Sequence, residues 1–428
     1  MAFPELVVDV HTVEHPPTWR PEPLKVTFLT LSADVSGENL LRAFQWARNA
    51  GLPNPRVISP ALLRWSSAFH PAFFRSAQGW SSRQFSSISF PTGHFLNDWG
   101  RREKFHLQSL VFLAYVTLSA AIIQNRWSTG TIASKLDKLW HASDPGRLSH
   151  LHEPGLRDEV RRLASAPPGP DILLGIKHLF ADALRVLSGD IHASKVSMRQ
   201  AKLPPALAER FGFLGSLLHS VAKIQAVIVY GSSVSSEIFA DYDIVLVVED
   251  ADATLKALCG TTPSFNGKEL NISVYSQDEL WTMQLISGDN LADYGLCLYG
   301  EALLPEKTTE LLLARNFSFG MIRQRQQLGM IPSAQDNDDP TDDRRNLYGY
   351  FVKIPANVVK GTYGAVGQRW PKERVHDWLR ERCGFDPVAE QHEAINGDRA
   401  LPLARSAVAT MTALLRLNSE LSVVQITD

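Results

Sequence analysis

The spacing of apolar residues changes along the chain. Leu24 to Leu31 (LKVTFLTL) is rich in aliphatic and β-branched residues and reads as a strand. Gly37 to Ala50 carries its apolar residues at helical spacing, and Gly51-Leu-Pro ends the pattern. Arg56-Val-Ile offers a second, short strand. Residues 1–23 are rich in proline, show no period and read as an extended arm. From about 104 to 190 the period is helical, broken at Asp144-Pro-Gly and Ala166-Pro-Pro-Gly-Pro.

Lys202-Leu-Pro-Pro is the expected domain boundary. The pattern after it predicts a helix over Ala206 to Ala222. Apolar strands are predicted at Ala226–Tyr230, Asp243–Val248 and Leu270–Tyr275, with a short fourth at Gly295–Tyr299. From Leu311 onward the pattern is helical, interrupted by an acidic loop at Asp336–Asp343. The expected fold class is α/β plus α. A mixed sheet with helices at 203–310 is followed by a helical domain at 311–428. A mixed, mostly helical domain of unknown type at 1–202 precedes both.

Composition narrows the class only broadly. A length of 428 residues suits two or three domains, and 44% hydrophobic with 21% charged residues excludes a largely disordered chain. Residues 1–200 hold 22 Lys+Arg against 16 Asp+Glu, and 201–428 hold 21 against 29. Neither balance demands nucleic acid or a membrane. Three cysteines without a C-x-x-C pair suggest a reducing compartment, and a cytoplasmic location is expected. The N-terminus lacks a basic region followed by an apolar one. Leu107 to Ile123 is the most apolar stretch. Its Gln108, Ser109, Tyr115, Thr117 and Ser119 suit a buried helix better than a membrane span.

The strongest chemical signal is Val227–Val248 (VIVYGSSVSSEIFADYDIVLVV), which reads as strand, small-residue turn, short helix, strand. Gly231 permits a tight turn at the strand end. Ser232 and Ser233 offer hydroxyls and backbone N–H groups at a helix start, an arrangement that cradles phosphate. Asp241 stands nine positions after Ser232, and Asp243 follows. Alternate strand residues share a face, so both carboxylates point one way and Tyr242 the other. Two hard oxygen ligands beside a phosphate cradle suit Mg²⁺ held together with substrate phosphates. That is apparatus for in-line phosphoryl or nucleotidyl transfer. The plainer alternative is a solvated Asp pair after a Gly-Ser turn.

These residues resemble the nucleotidyltransferase superfamily of the DNA polymerase β type. Its hallmark is Gly-Ser, then Asp-x-Asp at the start of the next strand, here at slightly shorter spacing. Gly295-Leu-Cys-Leu-Tyr-Gly300 is similar to the family's late strand. Gly367-Gln-Arg-Trp-Pro-Lys-Glu-Arg-Val-His-Asp-Trp378 resembles a segment in the helical C-terminal domain of aminoglycoside adenylyltransferases. The resemblance covers roughly 205–420. It implies a two-metal transfer of a nucleoside monophosphate from an NTP, ATP foremost, to a hydroxyl, with release of pyrophosphate. Asp241 and Asp243 would bind Mg²⁺. Gly231, Ser232 and Ser233 would hold the β/γ-phosphates. Lys372, just inside a helix opened by Pro371, would face the nucleotide phosphates, across a cleft between the two domains. The acceptor stays open: a small molecule, an RNA end or a protein side chain.

The sequence departs from that pattern at one place. The family commonly has a third carboxylate on the following strand, here Glu269-Leu-Asn-Ile-Ser-Val-Tyr275, and the aligned position is Asn271. An amide cannot take a proton from a hydroxyl and is a weaker ligand. Glu269, two residues earlier on the same face, could stand in as base or third ligand. The alternative function is a catalytically degenerate fold acting as a nucleotide-binding, regulatory or interaction module.

Other signals carry less. Residues 64–105 interleave aromatics with Arg75, Arg83, Arg101, Arg102 and Lys104. That pattern fits contact with single-stranded nucleic acid, or an irregular core that buries its aromatics. His11-Thr-Val-Glu-His15 spells an inverted zinc-protease motif, which requires a helix that Thr12, Val13 and Pro16-Pro17 disfavour. His150-x-His152 with Glu153 reads as polar surface. The acidic loop lacks the sixth-position Gly of a calcium loop and has Leu347 where that loop has Glu.

Overall fold

The structure, a computed structural model, describes residues 7–15, 24–31, 36–53, 55–58, 101–125, 127, 132, 136, 154–189, 191–215, 221, 223–261, 263–335 and 342–424. Outside them lie 64–100 of the aromatic and basic segment, His150, His152, Glu153, and 336–341 of the acidic loop. Two compact units divide the chain. One is composite, Met1–His106 with Thr309–Asp428; the other is central, Leu107–Thr308.

The composite unit opens with a three-stranded sheet of β1 (Val7–His15), β2 (Leu24–Leu31) and β3 (Pro55–Ile58). β1 pairs antiparallel with β2, and β2 parallel with β3. β1 corrects the expectation of an extended arm. Its four valines and Thr12 favour a pleated strand, and from Val10↔Leu29 to His15↔Leu24 it pairs residue for residue with β2. The strand also removes the helix that the zinc motif needs. α1 (Gly37–Asn49) is capped by Ser36, whose Oγ accepts from Asn39 N. It buries Leu40, Ala43, Phe44 and Ala47.

The central unit takes in most of α2 (Arg101–Ile123), then α3 (Pro154–Ser165), α4 (Pro170–Ser188), β4 (Lys195–Arg199) and α5 (Pro205–Arg210). α5 ends at Arg210, and a turn over 211–213 breaks the helix predicted for Ala206 to Ala222 at Gly212; Leu214 and Gly215 are helical again, and 216–220 and 222 lie outside the described residues. Next come β5 (Ile224–Tyr230), α6 (Ser232–Ser235), β6 (Asp241–Val248) and α7 (Ala251–Leu258). β7 (Ser264–Phe265), β8 (Lys268–Tyr275), α8 (Gln277–Ile286), α9 (Leu291–Tyr294) and β9 (Leu296–Pro305) complete it. The mixed sheet has six strands in the order β4-β9-β5-β6-β8-β7. Only β6 and β8 run parallel. β4 precedes Lys202, so this sheet draws on residues from both sides of that segment.

A buried cation ties helices to this sheet. Lys177 of α4 is fully buried and donates to Asp252 Oδ1 (3.2 Å) on α7 and Glu279 Oε1 (2.9 Å) on α8. Tyr115 of α2 donates to the same Glu279 oxygen at 2.8 Å. Glu279 also closes the capping box with Ser276 that starts α8. α2 buries Val111, Ala114, Leu118 and Ile122. Among the described residues no helix is long and apolar enough to cross a membrane.

The composite unit ends in helices: α10 (Thr309–Gln335), α11 (Asp342–Val352), α12 (Ile354–Ala365), α13 (Lys372–Cys383), α14 (Pro387–Asn396) and α15 (Ala400–Val424). Gln327 of α10 is fully buried with its amide satisfied. It donates to Phe351 O (2.8 Å) and Ser406 Oγ (2.7 Å) and accepts from Thr410 (3.0 Å).

Candidate functional site

β6 leaves the core at its first residues. Asp241 and Asp243 are half-buried on either side of buried Tyr242, and every residue from Ile244 to Val248 is buried. The two carboxylates thus share one face at the end of a strand whose remainder is fixed in the core. Tyr242 anchors the opposite face. Its ring meets Phe213 at 5.1 Å, Phe239 at 4.9 Å and Phe211 at 5.8 Å, all edge-on.

The turn before β6 is fitted to Asp243. β5 and β6 are antiparallel with Tyr230 opposite Asp243, and Gly231 follows at φ +79°. A Cβ at Gly231 would stand 2.2 Å from Asp243 Oδ2. Both the left-handed backbone and the close carboxylate therefore require glycine here. Ser232 is exposed. Ser233 is fully buried and its hydroxyl donates to Tyr230 O at 3.2 Å, so that side chain closes the turn from within. As at any helix start, the first N–H groups of α6 have no partner inside the helix. Arg210 holds the far side of the turn, its Nη1 donating to Ser233 O (2.6 Å) and Ser236 O (2.8 Å). Its guanidinium also lies over the Phe239 ring at 5.0 Å. No sequence signal marked Arg210, because the carbonyls it binds lie more than twenty residues away.

The parallel register of β6 and β8 sets Asp241 beside Glu269 and Asp243 beside Asn271. Asn271 lies astride the pair. Its Nδ2 donates to Asp241 Oδ2 at 2.7 Å and to Asp243 Oδ1 at 3.5 Å. Glu269 is exposed, and its Oε1 accepts from Gln124 Nε2 at 3.4 Å. Among the described residues no group of three His, Cys, Asp or Glu side chains is gathered to hold a metal ion. The donor set at this point is two carboxylates and one carboxamide, which suits a hard divalent cation.

Tyr230 stays a neutral phenol beside the pair. Burial raises its pKa well above the usual value, and the nearby charge of Asp243 adds to this. Its ring packs edge-on against Tyr294 at 5.8 Å. Lys372 belongs to the composite unit, where it is the exposed first residue of α13. Just before it, Trp370 stacks on Tyr363 at 3.6 Å with Arg374 over its ring at 4.1 Å. Asp241, Asp243, Gly231, Ser232, Ser233 and Glu269 all lie in the central unit.

No protein-family model, no curated protein and no solved structure matches this chain.

Proposed function

We propose that the chain is a Mg²⁺-dependent nucleotidyltransferase that moves a nucleoside monophosphate from an NTP to a hydroxyl and releases pyrophosphate. The observation that carries this reading is the fit of the Gly231 turn against Asp243, with Asp241 and Asp243 on one face of β6. Asp241 and Asp243 hold the cation. When bound, Mg²⁺ screens phosphate charge and polarises the phosphorus under attack. The backbone at Gly231 and Ser232 approaches the phosphates closely because no Cβ intervenes. Ser233 contributes through its backbone, its hydroxyl being held by Tyr230 O. Glu269, on the same strand face as Asn271, is the base for the acceptor hydroxyl. A small molecule, an RNA end or a protein side chain could supply that hydroxyl.

A second reading has its own observation. Asn271 fills the register position where the family commonly carries its third acid, and it is bonded to Asp241. That favours a nucleotide-binding or regulatory module without transfer activity. Incubation with each α-labelled NTP, Mg²⁺ and candidate acceptors separates the two. Label moving to an acceptor, and lost in Asp241→Asn, supports the enzyme. Nucleotide binding without transfer supports the module.

A further inference from the structure

We propose that this centre takes one divalent cation, where the resemblance implies two, and that Asn271 is its third protein ligand. This rests on reading Asp241 and Asp243 as ligands of a nucleotide's metal. Three observations on the central unit carry it. The first is position: β8 sets Asn271 directly beside Asp243, and its amide reaches both carboxylates, at 2.7 and 3.5 Å. A primary amide has a donor end and an acceptor end. Half a turn about χ2 exchanges them. The donor end faces the carboxylates; turned over, the carbonyl oxygen would face a cation held between them. Asn271 is thus already placed to serve as a neutral oxygen ligand.

The second observation is charge. Two carboxylates balance one dication. A second dication, at the roughly 3.5–4 Å separation of two-metal sites, would meet no further protein charge at the Asn271 position. The third is the state of the nearest spare carboxylate. Glu269 is exposed and hydrogen-bonded to Gln124, and no third acid joins the pair among the described residues. At the register position beside Asp243, where a second cation would need a carboxylate, stands the neutral Asn271. Glu269 would then have to deprotonate the acceptor hydroxyl without help from a second cation, which sets the proposal apart from the mechanism the resemblance implies.

The test is to count Mn²⁺. Paramagnetic resonance of Mn²⁺ titrated into the full chain, with one equivalent of the α,β-methylene analogue of ATP, gives the number bound per chain. One is expected for the native protein and two for Asn271→Asp. Asn271→Leu, which leaves the charge unchanged, should keep the count at one. It should weaken that ion by at least the roughly tenfold that even outer-shell partners contribute. Two Mn²⁺ per native chain would overturn the proposal and leave the metal reading standing. So would a count of one in Asn271→Asp, or undiminished affinity in Asn271→Leu. If the Mn²⁺–analogue spectrum is the same with and without protein, the metal reading falls and the proposal falls with it.

Discussion

At the scale of single residues, the site depends on a glycine and two carboxylates that fit one another. Asp241→Asn and Asp243→Asn keep shape and remove charge. Each should lower Mg²⁺-dependent transfer by about two orders of magnitude or more. Neither should lower the melting temperature much, since both side chains are only half-buried. An α-labelled NTP assay beside a thermal melt checks both halves, and full activity in both variants would defeat the assignment. Gly231→Val acts differently. Its Cβ would meet Asp243 Oδ2 at 2.2 Å on a backbone at φ +79°. A loss of roughly 2–3 kcal/mol of stability is expected by urea titration, together with loss of NTP affinity by calorimetry. Gly231, Asp241 and Asp243 were legible in sequence because their meaning is local: a turn residue and an alternation of two. Asn271 was legible as a departure, but its bonds to both carboxylates depend on the register of two strands 30 residues apart, which no local pattern encodes. Ser233 was misleading in one respect. A hydroxyl beside a turn reads as a ligand, yet burial turned it inward to Tyr230.

At the scale of elements, β5, β6 and β8 announced themselves as apolar runs because the sheet buries them. β4 did not. It is an edge strand of alternating exposed and half-buried residues, and KVSMR has no apolar run to notice. The helices on the sheet depend on the Lys177 network, whose members come from four separate helices. Lys177→Met should cost about 3 kcal/mol, since it leaves Glu279 and Asp252 without their buried cation. Denaturant titration would show it, and a change under half that size would mean the network is dispensable. The same network gives a pH dependence. Asp252 is held down at about 2, first by its hydrogen bond with His178, and His178 is raised above its ordinary 6.5 by that same bond. Lys177 and Glu279 face the same group. The depressed Asp252 contributes stability present above its ordinary 3.8 and lost as pH falls through about 2. The raised His178 contributes stability present below 6.5 and lost as pH rises through its higher folded value. The melting temperature should therefore decline on the alkaline side of 6.5, and His178→Gln should flatten that limb. An unchanged limb in His178→Gln would place the dependence elsewhere.

At the scale of the whole molecule, the chain's two ends build one unit, which a reading of successive domains along the sequence does not anticipate. α1 lies on α15, more than 350 residues away, and Arg405 binds Glu38 (3.0 Å) and Glu390 (3.1 Å). The bridge to Glu38 is half-exposed and should contribute little, at most about 1 kcal/mol, whereas Glu390 is mostly buried. Close packing matters more. A Cβ at Gly37 would stand 2.5 Å from Arg405 Cγ and 2.8 Å from Arg405 N. The side-chain atom could yield; the backbone nitrogen, inside α15, could not. Gly37→Leu should therefore push α1 off α15 and cost about 1–3 kcal/mol, as overpacking does. Arg405→Ala, which keeps the backbone of α15 and removes the ion pairs together with the side chain beyond Cβ, should cost less than Gly37→Leu. Hydrogen exchange resolved along the chain distinguishes the two: faster exchange in α1 and around 400–410 in Gly37→Leu, and a smaller change in Arg405→Ala. If Gly37→Leu exchanged like the native protein, the helix contact would not hold the ends together. If Arg405→Ala were the more damaging change, the Arg405 side chain would be doing so in place of the helix packing.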